Sequence, residues 1–93
     1  MHATMRYYHG DAALADRLAE RADDIRALIS GVAGFRAYYL VRLDDATVSI
    51  TVCDDAAGTE ESTRVASEWI WDNMPDVAAS PPMVSSGTVT LSA

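Results

Sequence analysis

Residues 34–55, GFRAYYLVRLDDATVSITVCDD, decide the fold because they contain two strand patterns separated by a short link. Residues 35–43 and 47–53 are rich in β-branched and aromatic side chains at alternating positions, which is the pattern of strands in a sheet. The link, Asp44 to Ala46, suits a tight turn. The stretch therefore predicts a β-hairpin.

Amphipathic segments flank this hairpin on both sides. Residues 12–29 carry apolar side chains at helical spacing and predict one helix, with Asp11 as its N-cap and Gly31 as its C-cap. Residues 59–73 predict a second helix, which is capped by Thr59 and ended by Pro75. One helix is therefore expected before the hairpin and one after it.

Two further strands complete the pattern at the chain ends, over residues 2–9 and 84–91, with Gly87 as a site for a bulge. Residues 76–82 read as a linker. The order β-α-β-β-α-β is the ferredoxin-like arrangement. The sequence thus predicts a single α+β domain over residues 1–93, with a four-stranded antiparallel sheet and two helices on one face.

Alternation divides the strand residues into two faces of different character. The more apolar face, expected beneath the helices, carries Phe35, Val48, Ile50, Val52, Val89 and Leu91. The other face carries Arg6, Tyr8, Arg36, Tyr38, Leu40, Arg42, Ser49, Thr51 and Thr90. This mixture of aromatic and polar side chains is typical of a wet homodimer interface, although a solvated sheet face is the alternative.

Composition narrows the classes of partner. The chain has 93 residues and a net charge of −7, and all its basic residues are arginines. Nucleic acids and anionic membranes are not expected as partners, since they are bound through basic surfaces. Cys53 is the only cysteine, so we expect a buried thiol, no internal disulfide and no metal site. No stretch has the apolar length of a signal peptide or membrane span, which predicts a cytoplasmic protein.

The segment Gly31 to Tyr39, GVAGFRAYY, enters an aromatic strand through a Gly-Phe step, and the second helix bears Trp69. In these features the chain resembles the dimeric α/β-barrel superfamily, and within it the small antibiotic biosynthesis monooxygenase-like (ABM) domains. The resemblance implies a homodimer whose two sheets pack together and close a barrel. It also implies activities that include cofactor-free oxygenation of aromatic quinols and haem degradation.

The resemblance further implies a pocket between sheet and helices, near Tyr7, Tyr39, Trp69 and Asn73. Haem-degrading members use a histidine on the second helix, and residues 59–73 contain none. There is also no close copy of an oxygenase catalytic set. We therefore expect no cofactor, and we keep two functions open. One is a cofactor-independent monooxygenase-like enzyme acting on a planar aromatic; the other is a non-catalytic dimeric module that binds a small molecule or a protein.

Several side chains have two interpretations. Trp69 and Asn73 are helical neighbours that could stack on a ligand and hold its oxygen, although a core tryptophan beside a fraying helix end is favoured. Trp71 lies about 200° around the helix from Trp69 and needs a cover, either residues 81–83 or a second subunit. His9 is a general-base candidate, with a solvent-facing position favoured.

The candidate dimer-interface residues are Arg36, Tyr38, Arg42 and Trp71. Arg6, Arg36 and Arg42 are expected to pair with carboxylates across a dimer interface. The alternative is that they bind an acidic ligand on the sheet together with Tyr8 and Tyr38.

Overall fold

A computed structural model describes residues 1–93 as four strands and four helices. In chain order these are β1 (His2–His9), α1 (Ala13–Ala19), α2 (Ala22–Ser30), β2 (Phe35–Arg42), β3 (Ala46–Cys53), α3 (Ala56–Asn73), α4 (Pro75–Ala78) and β4 (Met83–Thr88). The strands pair antiparallel in the order β2-β3-β1-β4, with the helices packed on one face. The ferredoxin-like α+β fold predicted from the sequence is confirmed.

The segment between β1 and β2 forms two helices instead of the single predicted one. Asp11 does cap the first, because its carboxylate accepts a hydrogen bond from the backbone N–H of Leu14 at 3.0 Å. Helical geometry then breaks at Arg21, whose φ of −108° and ψ of 28° lie outside the helical range. The break separates α1, which contacts β2 and β3, from α2, which contacts β2 and α3.

The long helix α3 begins earlier than predicted, at Ala56, and its N-cap is Asp55 instead of Thr59. The Asp55 carboxylate accepts a hydrogen bond from the backbone N–H of Gly58 at 3.1 Å. Gly58 also allows a close approach of α3 to β3, since a Cβ at this position would lie 2.8 Å from the Cβ of Cys53. After α3, the predicted linker contains the short helix α4.

The sheet has one register shift, in β2 between Phe35 and Ala37, and none at Gly87 in β4. Because of this bulge, Phe35 pairs with Cys53 and faces the helices. Tyr38 also faces the helices, whereas Tyr39 lies on the opposite side of the sheet. β4 itself ends at Thr88, three residues before the predicted end at Leu91.

The helices pack on the sheet face that the sequence predicts to point away from them. The β3 residues beneath the helices are small or hydroxyl-bearing and at most 2% exposed: Thr47, Ser49, Thr51 and Cys53. Its larger apolar residues lie on the other face: Val48, Ile50 and Val52. The prediction is wrong because it ranks the faces by hydrophobicity, whereas hydroxyl groups are readily buried once hydrogen-bonded. The Thr47 hydroxyl, for example, donates to the Asp11 carbonyl at 2.7 Å.

The core lies between this polar sheet surface and the helices. Most of its apolar atoms come from the helices, and β1 adds Tyr8: Leu14, Leu18, Ile25, Ile29, Ile70, Met74, Val77 and Tyr8. The opposite side of the sheet, called the open face below, is covered by no element of the chain. It carries Ala3, Met5, Tyr7, Ala37, Tyr39, Val41, Val48, Ile50, Val52 and Met83. The exposed surface of the sheet is therefore the more hydrophobic of its two faces.

Candidate functional site

A guanidinium lies beneath the helices at the centre of the sheet. It belongs to Arg6 of β1, which is only 1% exposed. Its Nε donates to Ser49 Oγ at 2.9 Å, and its Nη2 donates to Thr51 Oγ1 at 2.9 Å. Its Nη1 donates to Ser62 Oγ at 3.3 Å and to Thr63 Oγ1 at 3.1 Å. These four hydroxyls, two from β3 and two from α3, form the hydroxyl cage of Arg6.

Arg6 differs from the other arginines in its hydrogen-bond partners. The other six of the seven arginines each form a salt bridge with a carboxylate at the surface. Arg6 hydrogen-bonds only to neutral hydroxyls. Burial lowers its pKa, although a guanidinium stays protonated in proteins. The site is thus a buried positive charge that no carboxylate of the chain neutralises.

Two phenols, Tyr8 and Tyr38, flank this charge. Burial raises the pKa of both hydroxyls, and the opposing effect of the Arg6 charge is smaller. Both phenols are therefore neutral at physiological pH and can donate a hydrogen bond to a negatively charged oxygen.

A small, partly open cavity of about 20 Å³ lies beside these polar groups, beneath the helices. Its walls combine the polar groups with apolar side chains of α1, α2 and α3: Arg6, Tyr8, Leu18, Ile25, Leu28, Ile29, Tyr38, Ser49, Ala66, Trp69 and Ile70. A volume of this size holds roughly one water molecule. The cavity alone is therefore large enough for a single ligand atom or functional group, not for an aromatic ring.

A larger groove of about 540 Å³ adjoins the cavity between the first two helices and β2. Its walls are mainly apolar: Leu18, Ala19, Ala22, Ile25, Arg26, Ile29, Ser30, Phe35, Tyr38 and Leu40. Four of these residues, Leu18, Ile25, Ile29 and Tyr38, also line the cavity. The apolar groove of ligand size and the cavity beside the buried cation thus share part of their walls.

Trp69 lines the cavity from α3, and Asn73 does not. The guanidinium carbon of Arg21 lies 5.1 Å from the centroid of the Trp69 ring. Asn73 is exposed; its Nδ2 donates to the backbone carbonyl of Trp69 at 2.9 Å, and its Oδ1 accepts from Arg21 at 3.4 Å. Asn73 therefore connects Arg21 to the end of α3 and makes no contact with the cavity.

Three tyrosines lie on the sheet face opposite to the one predicted for them. Tyr7 and Tyr39, expected near the pocket, lie on the open face, where Tyr39 is 58% exposed and Tyr7 stacks on His9. Tyr38, expected at a dimer interface, lines both the cavity and the groove. The reversal of the sheet faces accounts for all three positions. It also places His9 away from the cavity, so the structure gives no support for His9 as its general base.

The remaining interface candidates are Arg36, Arg42 and Trp71. Arg36 forms a salt bridge with Asp54, and Arg42 lies 3.7 Å from a carboxylate oxygen of Asp16. Trp71 points outward from α3 and is 69% exposed, so residues 81–83 do not cover it. The arginines thus find carboxylates within their own chain.

The hydroxyl cage was not predicted as a site, although part of its signal is present in the sequence. Thr47, Ser49 and Thr51 occupy alternate positions of β3, and Arg6 has a central position in β1. Sequence alternation places Arg6, Ser49 and Thr51 on one face, but it cannot show that Ser62 and Thr63 of α3 complete a set of acceptors for one buried cation.

No protein-family model matches the sequence, and no curated protein is significantly similar to it. Solved structures do share the fold. A protein of unknown function, NE2512 from Nitrosomonas europaea, superposes with a TM-score of 0.75 at 15% identity, over 99% of this chain and 91% of that one. The ActVA-Orf6 monooxygenase of Streptomyces coelicolor, solved with nanaomycin D, gives a TM-score of 0.69 at 16% identity, over 99% and 89%.

A dimeric ferredoxin-like protein from an uncultured marine organism is similar over 98% of this chain and 94% of that chain, with a TM-score of 0.63 at 8% identity. These neighbours share the ferredoxin-like fold of the chain over nearly its whole length. At these identities the likeness concerns the fold and not the activity. No helix of the chain has both the length and the apolar character needed to cross a membrane.

Proposed function

We propose that the protein binds a planar aromatic small molecule in the groove and acts on it as a cofactor-independent monooxygenase-like enzyme. The groove itself carries this proposal, because its volume of about 540 Å³ and its mainly apolar walls suit a ligand of several fused rings. The fold shared with a monooxygenase supports oxygenation as the chemistry, by analogy.

A reaction of this type converts an activated methylene carbon into a carbonyl. One oxygen atom of O₂ enters the product, and the other leaves as water together with the two hydrogens of the methylene. The carbon supplies all the electrons that O₂ takes up, so no separate reductant is required. The chain's contribution would be an apolar enclosure that excludes water and hydrogen-bond donors that hold the substrate's oxygen.

The two tryptophans allow a matched test of ligand binding. Trp69 lines the cavity, whereas Trp71 is 69% exposed on the outer side of the same helix. A Trp71→Phe variant retains only the cavity reporter, and a Trp69→Phe variant retains only the surface reporter. Titration with aromatic quinols and flavonoid-like phenols should quench the fluorescence of Trp71→Phe saturably and leave that of Trp69→Phe unchanged. Equal responses in both variants would contradict binding at this site.

Ligands that pass the binding test then enter an oxygen-uptake assay with the wild-type protein. Consumption of O₂ above the rate in buffer, with a carbonyl product, is the expected result. Saturable binding without turnover across anthrone-like and naphthoquinol substrates would favour the alternative, a non-catalytic module.

The exposed Trp71 is the specific observation in favour of that alternative. A large exposed aromatic side chain often marks a contact with a partner. If Trp71→Ala weakened binding of a partner protein while the melting temperature stayed the same, the interaction module would gain support. A loss of stability alone would assign Trp71 to packing.

We further propose that a second copy of the chain covers the open face. The apolar side chains of this face form one continuous surface on the sheet, and a solved protein of the same fold is described as dimeric. Sheet-to-sheet packing of two copies would bury that surface.

A further inference from the structure

The unneutralised charge of Arg6 is the feature that the proposed function leaves without a purpose. A buried cation loses its hydration, and proteins usually compensate this loss with a carboxylate. The chain has 14 acidic residues against 7 basic ones, so acidic partners are abundant in its sequence. Arg6 nevertheless has four neutral hydroxyls around it and no carboxylate.

The hydroxyl cage also leaves part of the guanidinium free. A guanidinium has five N–H donors. The cage accepts from four of them: one at Nε, two at Nη1 and one at Nη2. A second N–H of Nη2 therefore has no acceptor within the protein, and Arg6 is one of the residues that line the cavity.

The other ionisable groups at the cavity strengthen its preference for an anion. Tyr8 and Tyr38 are neutral donors, so the ionisable side chains at this end of the site carry a net positive charge. The groove adjoins the cavity beside this charge, and the two share four lining residues, Tyr38 among them. A ligand with its rings in the groove and one small group in the cavity would place that group beside Arg6.

We propose that Arg6 is the charge-recognition residue of the site, and that the ligand is an aromatic molecule with one anionic oxygen group, such as a phenolate, an enolate or an aryl carboxylate. The inference rests on the groove being the ligand site, as in the proposed function. It adds the ionic form in which the ligand binds and the residue that selects it. In a protein of net charge −7 this selection is local, because the overall field repels anions.

The test compares two probes of similar shape, 1-naphthoate and the neutral 1-naphthalenemethanol, by isothermal titration calorimetry at pH 7. Wild-type protein should bind the anion about tenfold more tightly or better, as expected for a charge-assisted hydrogen bond in a desolvated site. Arg6→Met should remove this preference. Arg64→Met, which deletes an exposed arginine of α3 and changes the net charge equally, should retain it.

Equal affinity of wild-type protein for both probes would overturn the role of Arg6 while leaving the groove intact. A preference for naphthoate that persists in Arg6→Met would overturn it as well. Binding of neither probe would overturn the proposed function and this inference together.

A second measurement needs no variant and applies even if Arg6→Met does not fold. Wild-type protein labelled with ¹⁵N-arginine should show one Nε–H resonance that is protected from solvent exchange, that of Arg6. Naphthoate should shift this resonance, and 1-naphthalenemethanol should not. An unchanged resonance in the presence of saturating naphthoate would refute contact with Arg6.

Discussion

The interaction between Arg6 and the hydroxyl cage can be measured through one nearly isosteric substitution, Thr51→Val. The Thr51 hydroxyl accepts from Arg6 Nη2 at 2.9 Å, and both residues are at most 1% exposed. Without it, Nη2 loses its only hydrogen bond in the protein, and no solvent replaces the acceptor. A hydrogen bond to a charged group contributes about 1.5–3 kcal/mol. For a domain of this size, a loss of roughly 2 kcal/mol lowers the melting temperature by roughly 8–16 °C.

Urea and thermal unfolding followed by circular dichroism would supply these values, and a double-mutant cycle isolates the pair. In an Arg6→Met background, Thr51→Val should have little effect, because the charge that needs the hydroxyl is gone. Thr88→Val, an exposed position on β4, is the control and should change stability by less than about 0.5 kcal/mol. The same cost for Thr51→Val in both backgrounds would refute the idea that the hydroxyls hold the cation.

Three further predictions concern packing, assembly and pH. Gly58→Ala should destabilise the fold by about 1–2 kcal/mol in denaturant unfolding, because the added methyl group overpacks against β3. The control Gly87→Ala has open space and should not destabilise the fold. Equal effects of the two substitutions would contradict the close approach of α3 to β3. Ile50→Asp, on the open face, should weaken dimerisation at least about tenfold in sedimentation velocity, and an unaffected dimer would exclude this face. Burial raises the pKa of Tyr38 above its ordinary 10.0, so the folded state keeps a proton that the unfolded chain releases. The free energy of unfolding should be at its full value below about pH 10 and should fall at higher pH. The fall should be less steep in Tyr38→Phe. Urea unfolding midpoints measured from about pH 8 to 11 would test this.

The element order and the strand alternation could be predicted from the sequence, because both depend on local patterns. β1 has its predicted bounds, 2–9, and the antiparallel sheet follows from the hairpin and the two crossings. The alternation also grouped Arg6 correctly with Ser49 and Thr51. Which group faces the helices depends on non-local hydrogen bonds, and here hydrophobicity ranked the faces in the wrong order.

Local pattern also failed where the backbone departs from regularity. The bulge in β2 moves Phe35 out of phase with Tyr39, and the break at Arg21 divides a helix whose apolar spacing is continuous. Neither position has a proline, and Gly34 is the nearest glycine to the bulge. Trp69 lies at the cavity on the helix that the sequence predicts, but its role in ligand binding stays a prediction. The cytoplasmic location also stays a prediction.

The sheet is a single layer of backbone, so the same strands carry the side chains of both of its faces. Along β2 and β3, residues that line the cavity alternate with residues of the open face, as Tyr38 does with Tyr39 and Ser49 with Ile50. A ligand in the cavity that displaces either strand therefore also displaces the side chains of the open face, where a second copy would pack. By thermodynamic linkage, a ligand that strengthens dimerisation must bind the dimer more strongly than the monomer by the same factor. The dissociation constant of the dimer, measured with and without ligand, would therefore show whether the cavity is occupied.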